Sequence, residues 1–132
     1  FRDEAARARL EAITHPEIRA AARAAATRAT WPPTSVAAGL IIHEIPLLAE
    51  SGLAGHFPIV ITVEAPREVR IERLVTSRGM SAADAKARID AQASDADRRR
   101  IATYVVNSAT TLTELQADIT RLVSEIMATP ER

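Results

Sequence analysis

Ile59-Val60-Ile61-Thr62-Val63 is the stretch that decides the fold. Each residue is β-branched, a side-chain type that crowds a helix and suits a pleated, covered surface, so a buried strand is predicted here. Upstream, Ala37 to Ile45 reads as another strand, with Leu40, Ile41 and Ile42 in unbroken succession. Apolar runs without alternation typify parallel strands covered by helices on both faces, so these two are expected to be neighbours in one parallel sheet. Tyr104-Val105-Val106-Asn107 is a brief third strand.

Helical signals fill the intervals. The opening run places Ala5, Ala6, Leu10 and Ile13 on helical spacing, and Thr14-His15-Pro16-Glu17 reads as a break and restart. Residues before a proline avoid the helical region, while Pro16 suits the first position of a new helix and Glu17 its positive end. That second helix runs to about Thr30, before the breaker Trp31-Pro32-Pro33-Thr34-Ser35. Pro66 opens a helix to about Ser77, and Arg78-Gly79-Met80 is a turn. Ser81 and Ser94 each cap a further helix. Thr111-Leu112-Thr113-Glu114 is a capping box before a last helix, where Leu112, Leu115, Ile119, Leu122 and Ile126 form one apolar stripe. Helices alternating with apolar strands predict an α/β three-layer fold with a mostly parallel sheet. Three strands make a thin sheet, so further strands are expected upstream of Phe1.

Composition removes several classes of function. The 132 residues suffice for one core, and 47% hydrophobic with 26% charged residues is an ordinary globular balance. The absence of cysteine excludes thiol chemistry, disulfides and Cys-based metal sites. A formal net charge of zero argues against a nucleic-acid binder, and no stretch is apolar enough to span a bilayer, so a cytoplasmic location is expected. Lys86 is the only lysine. The remaining basic side chains are arginines, whose planar fork fits phosphate, although a compositional bias towards Arg and Ala explains the excess equally well.

Leu40-Ile41-Ile42-His43-Glu44 has the form of an apolar strand delivering an acid to the ligand edge of a parallel sheet, where it could hold Mg²⁺ directly or through water. A plain loop acid is the alternative. Arg67, Arg70, Arg73 and Arg78 crowd one helix and its turn, with Arg88, Arg98, Arg99 and Arg100 following. They are read either as a solvated face or as a lid bringing guanidinium groups to transferring phosphates. Spacing does not choose between these. His15, His43 and His56 show no metal-ligand spacing, and no G-x-x-x-x-G-K-[ST] occurs.

Taken together, the landmarks resemble the dephospho-coenzyme A kinase family. The matching segments are Leu10 to Pro16 (LEAITHP), Ile45 to Glu50 (IPLLAE) and Arg73 to Ser81 (RLVTSRGMS), followed by Arg88 to Gln92, Arg98, and Val105 to Ser108. They cover essentially the whole chain. The first two are fairly specific; the lid pattern is shared with other small P-loop kinases.

The resemblance implies a P-loop kinase-like three-layer fold whose N-terminal part, with its P-loop and general-base aspartate, is missing here. It implies a single partial domain: 1–36 a helical substrate-binding region, 37–64 core strands, 66–103 helix and lid, 104–132 the last core strand and C-terminal helix. The activity implied is transfer of the γ-phosphoryl of ATP, with Mg²⁺, to the ribose 3′-hydroxyl of dephospho-CoA. Arg73 and Arg78 would be the catalytic lid residues. His15, Pro46, Leu47 and Leu48 would bind the substrate, Asn107 and Arg98 the ATP, and Glu44 a metal-bound water. Glu44 and Thr103 stand where aspartate is usual in the family, and Ala49 replaces a larger residue. Without a P-loop the chain alone is expected to be inactive. A non-catalytic domain on the same scaffold and another small P-loop kinase are the competing readings.

Overall fold

The computed structural model describes residues 3–29 and 39–129. The chain divides into a unit ending at His43 and a unit beginning at Glu44, each taken here by itself.

The first unit is built on α1, Glu4–Arg28. Asp3 caps it, its carboxylate accepting from the Ala6 N–H at 2.9 Å. Pro16 lies inside this continuous helix, so the predicted break and restart do not occur. Proline removes one ladder donor and crowds the carbonyl a turn earlier. That carbonyl belongs to Ala12, an exposed residue, where water can satisfy it. The Thr14 hydroxyl meanwhile bonds back to the Leu10 carbonyl at 2.9 Å.

The expected strand at Leu40–Ile42 is also not formed. Residues 37 and 38 lie outside the described residues, and 39–45 hold no regular secondary structure. Leu40, Ile41 and Ile42 are exposed, Ile42 by 80%. A strand exists only through its ladder partners, and these residues have none among the described residues. Among the described residues the expected ladder of this run with Ile59–Val63 is not formed.

The second unit begins with two short turns of helix, α2 (Leu48–Ser51) and a 3-10 turn (Leu53–His56). A parallel pair of strands follows, β1 (Ile61–Glu64) and β2 (Tyr104–Asn107), with Val63 opposite Val106 and Glu64 opposite Asn107. Thr103 sets their register. Its N–H donates to the Val60 carbonyl at 2.8 Å, and its hydroxyl accepts the Val60 N–H at 3.1 Å.

Helix α3 (Arg67–Arg78) packs on α4 (Ala82–Asp90), α5 (Asp95–Ile101) on β1, and α6 (Leu112–Ala128) on β2. This is the expected α/β arrangement with a parallel sheet. Val60, Ala65, Ala85, Ile89, Val106 and Ile126 form its buried apolar positions. Burial on both sheet faces is not met. Val63 is 63% exposed and Val105 49%. The stripe on α6 is likewise buried at Ile126 and open at Leu112. Among the described residues, no helix is long and apolar enough to cross a membrane.

Candidate functional site

The arginines of α3, α4 and α5 separate by what they touch. At the end of β1, Glu64 is only 7% exposed and accepts from Arg99 Nε at 3.1 Å. Its other oxygen lies 3.6 Å from Arg98 Nε and has no hydrogen-bond partner among the described residues. Arg98 also donates to the Ala93 carbonyl and to Asp95, both at 2.5 Å. Asp95 accepts Arg70 at 2.8 Å in addition, and Arg67 bonds Asp90 across α3 and α4. Partial burial would raise the Asp95 carboxyl, but the hydrogen bond from Arg98 and the charge of Arg70 outweigh it and hold it below its ordinary value. Asp90 is lowered by the hydrogen bond from Arg67.

Arg73, predicted for catalysis, donates to Ser108 twice, to the hydroxyl at 3.0 Å and to the carbonyl at 2.6 Å. Arg78 closes α3, and among the described residues it has no hydrogen bond or ion pair. Gly79 follows at φ 65°, a left-handed conformation that glycine adopts without a Cβ penalty. The bonds from Gly79 N–H to Val75 and from Met80 N–H to Leu74 fasten this turn and so fix where Arg78 leaves the helix.

Between α3 and α4 lies a cleft of about 310 Å³. Arg70, Arg73, Arg78 and Arg88 line it, over Leu74 and Ile89. Arg73, Arg78 and Arg88, three of the candidate lid arginines, thus border one hollow. Sequence reasoning named Arg88 among the candidate lid arginines, without a spacing that distinguishes it from a solvated one.

The other predicted residues are placed as follows. Pro46 and Leu47 form a turn leading into α2, and Leu48 opens that helix. Glu50 in α2 accepts the Ala93 N–H at 2.7 Å, tying α2 to the segment before α5. Asn107 closes β2, and its side-chain oxygen accepts the Ala109 N–H at 2.9 Å, which forms a turn. His15 is exposed on α1 in the first unit. Glu44 is exposed outside regular structure and has no partner among the described residues, where no group of three or more His, Asp or Glu could hold a metal. A carboxylate is one of the ligand types that Mg²⁺ takes, beside nucleotide phosphates and water.

The family model described as CoaE, dephospho-CoA kinase, matches residues 1–114. The chain belongs to the dephospho-CoA kinase family. The dephospho-CoA kinase of Mycolicibacterium paratuberculosis is 47% identical over 87% of this chain and 27% of its own length. That of Frankia casuarinae is 41% identical over 97% of this chain and 53% of its own length. The crystal structure of TT1252 from Thermus thermophilus superposes with a TM-score of 0.79 at 31% identity, over 98% of this chain and 63% of that one. The chain thus spans about a quarter of one curated relative and half of the other.

Proposed function

We propose that this chain forms the acceptor and lid portion of a cytoplasmic kinase that transfers the γ-phosphoryl of ATP to the ribose 3′-hydroxyl of dephospho-CoA. The family match over residues 1–114 carries this reading. The arginine-lined cleft between α3 and α4 supports it, since phosphoryl transfer is catalysed chiefly by positioning and by stabilising charge on the non-bridging oxygens.

In this reading Arg78 contacts the transferring phosphoryl group, and Arg73 holds the lid helix at the end of β2 with its guanidinium at the rim of the same cleft. Pro46, Leu47 and Leu48 shape the acceptor side, with α2 fastened to the lid through Glu50 and Ala93. His15 and residues 1–36 serve the same substrate. Asn107 offers its amide N–H to the adenine while its oxygen is engaged by the turn, and Arg98 braces the nucleotide side through Asp95 and Glu64. Glu44 would hold a water of Mg²⁺, whose chemistry is to neutralise charge on the phosphates.

No G-x-x-x-x-G-K-[ST] occurs in the 132 residues, so the chain by itself is proposed to be inactive. The test is a hybrid enzyme in which this chain replaces the matching 128 residues of the Frankia casuarinae enzyme. ATP-dependent formation of coenzyme A by the hybrid is expected. A folded hybrid that phosphorylates a nucleoside monophosphate and leaves dephospho-CoA untouched would refute the acceptor.

A further inference from the structure

Both backbone polar groups of Ala93 are held by charged side chains. Its N–H donates to Glu50 of α2 at 2.7 Å, across 43 positions of sequence, and its carbonyl accepts from Arg98 of α5 at 2.5 Å. Ser94 follows as the cap of α5, its hydroxyl accepting the Asp97 N–H at 3.1 Å. Glu50 therefore grips the chain immediately before that helix begins. It also ends the segment whose Pro46, Leu47 and Leu48 are assigned to the acceptor side, and has itself been given no role.

On its other side Arg98 has slack. It is bound to Ala93 and to Asp95, whereas its Nε stands 3.6 Å from Glu64 Oε1, beyond hydrogen-bond distance. That oxygen is buried and has no hydrogen-bond partner among the described residues, which costs free energy until a donor reaches it. A shift of the guanidinium by about half an ångström towards the end of β1 would supply one. The place of Arg98 is thus set by Ala93, and the place of Ala93 by Glu50.

We infer that Glu50 is a positioning residue that makes the two substrates bind interdependently. An acceptor resting on Pro46, Leu47 and Leu48 fixes α2, Glu50 hands that order to Ala93, and Ala93 sets the Arg98 guanidinium on the nucleotide side. This rests on the kinase reading for what lies at each end of the joint. A coupling of this kind is reciprocal: the nucleotide tightens the acceptor by the factor with which the acceptor tightens the nucleotide. A bond that only fastened two loops would support stability and leave the two affinities independent.

The test is calorimetric titration of the hybrid enzyme with dephospho-CoA, with and without a saturating non-hydrolysable ATP analogue. In the parent hybrid the analogue is expected to tighten dephospho-CoA by about fivefold or more. Glu50→Ala should abolish that gain. Glu50→Gln keeps an oxygen at the same reach and should retain part of it, whereas Glu50→Asp keeps the charge, falls a methylene short and should lose it. Arg121→Ala, at an exposed arginine paired with Asp118 on α6, should keep the whole gain. No gain in the parent, the same gain in Glu50→Ala, or an equal loss in Arg121→Ala would each overturn the role. If Glu50→Ala is unfolded by circular dichroism, equal gains in Glu50→Gln and Glu50→Asp overturn it instead. Within the 132-residue chain, Glu50→Ala should speed hydrogen exchange at the Ala93 amide, and unchanged exchange would contradict the joint at its first step. The titration needs no turnover. Coupled binding in a hybrid that makes no coenzyme A would keep the role of Glu50 and remove the phosphoryl transfer; an active hybrid without coupling would do the reverse.

Discussion

Arg73 holds Ser108 across 35 positions of sequence, with one guanidinium nitrogen 3.0 Å from the hydroxyl and the other 2.6 Å from the backbone carbonyl. The same hydroxyl donates to the Glu64 carbonyl at 3.1 Å, and the Ser108 N–H reaches that carbonyl at 2.7 Å. The late turns of α3 are thus pinned to the ends of both strands. Charge-assisted bonds are the stronger kind, but these are exposed to water, which leaves about 1 kcal/mol. Arg73→Ala should therefore lower the melting temperature by roughly 4 °C. Melting followed by circular dichroism checks it, and an unchanged midpoint would show the bond to be idle.

Arg78 should behave oppositely. It has no protein partner among the described residues, so its removal costs the fold little. In the hybrid enzyme, Arg78→Ala is expected to lower kcat by roughly tenfold to a hundredfold with the melting temperature nearly unchanged. Lysine at this position should restore only part of the rate. Equal losses of rate and stability would make the residue structural.

Asn107 is proposed to carry a double duty that substitution can split. Its oxygen accepts the Ala109 N–H, while its amide hydrogens remain for a ligand. Asn107→Asp keeps the turn's acceptor and removes the donor. It should raise KM for ATP severalfold with the melting temperature kept, whereas Asn107→Ala should lower both nucleotide affinity and stability. Steady-state kinetics at saturating dephospho-CoA, beside melting curves, give the comparison. An unchanged KM in both variants would limit Asn107 to the turn.

Acid should loosen the joint between α3, α4 and α5. Asp95, against the effect of its partial burial, is held below the ordinary value of 3.8 by Arg98 and Arg70, and Asp90 is held low by Arg67. A carboxyl lowered in the folded state contributes stability above its unfolded value and loses it as pH falls through the folded one. The urea midpoint should accordingly be flat above about pH 5 and decline below about pH 4. Asp95→Asn should lower the plateau and flatten that decline. A midpoint that rises on acidification would contradict the assignment.

Local signals were legible in the sequence, and long-range partners were not. The caps at Ser81, Ser94 and Thr111 form as read, each accepting the N–H three residues on, and Thr111 and Glu114 complete the reciprocal box. Tyr104–Asn107 is the strand expected, and Ile59–Val63 shifts only to Ile61–Glu64. Leu40–Ile42 misled because an apolar run reports a wish for cover, not the ladder partner that makes a strand. Pro16 misled because an exposed helix can hydrate the carbonyl that proline frees. Among the arginines the same divide holds: Arg70 finds Asp95 at 25 positions and Arg73 finds Ser108 at 35, distances over which spacing carries no information. Arg78 and Arg88 are told apart only by what fails to meet them.

The proposed acceptor is the ribose 3′-hydroxyl of dephospho-CoA. The most direct measurement offers the hybrid enzyme γ-labelled ATP with dephospho-CoA and an equimolar nucleoside monophosphate, and locates the label by mass and phosphorus NMR. The label is predicted on coenzyme A as a 3′-phosphomonoester, with none formed by the 132-residue chain alone. Label on the nucleoside monophosphate, or at any other position of dephospho-CoA, would contradict it.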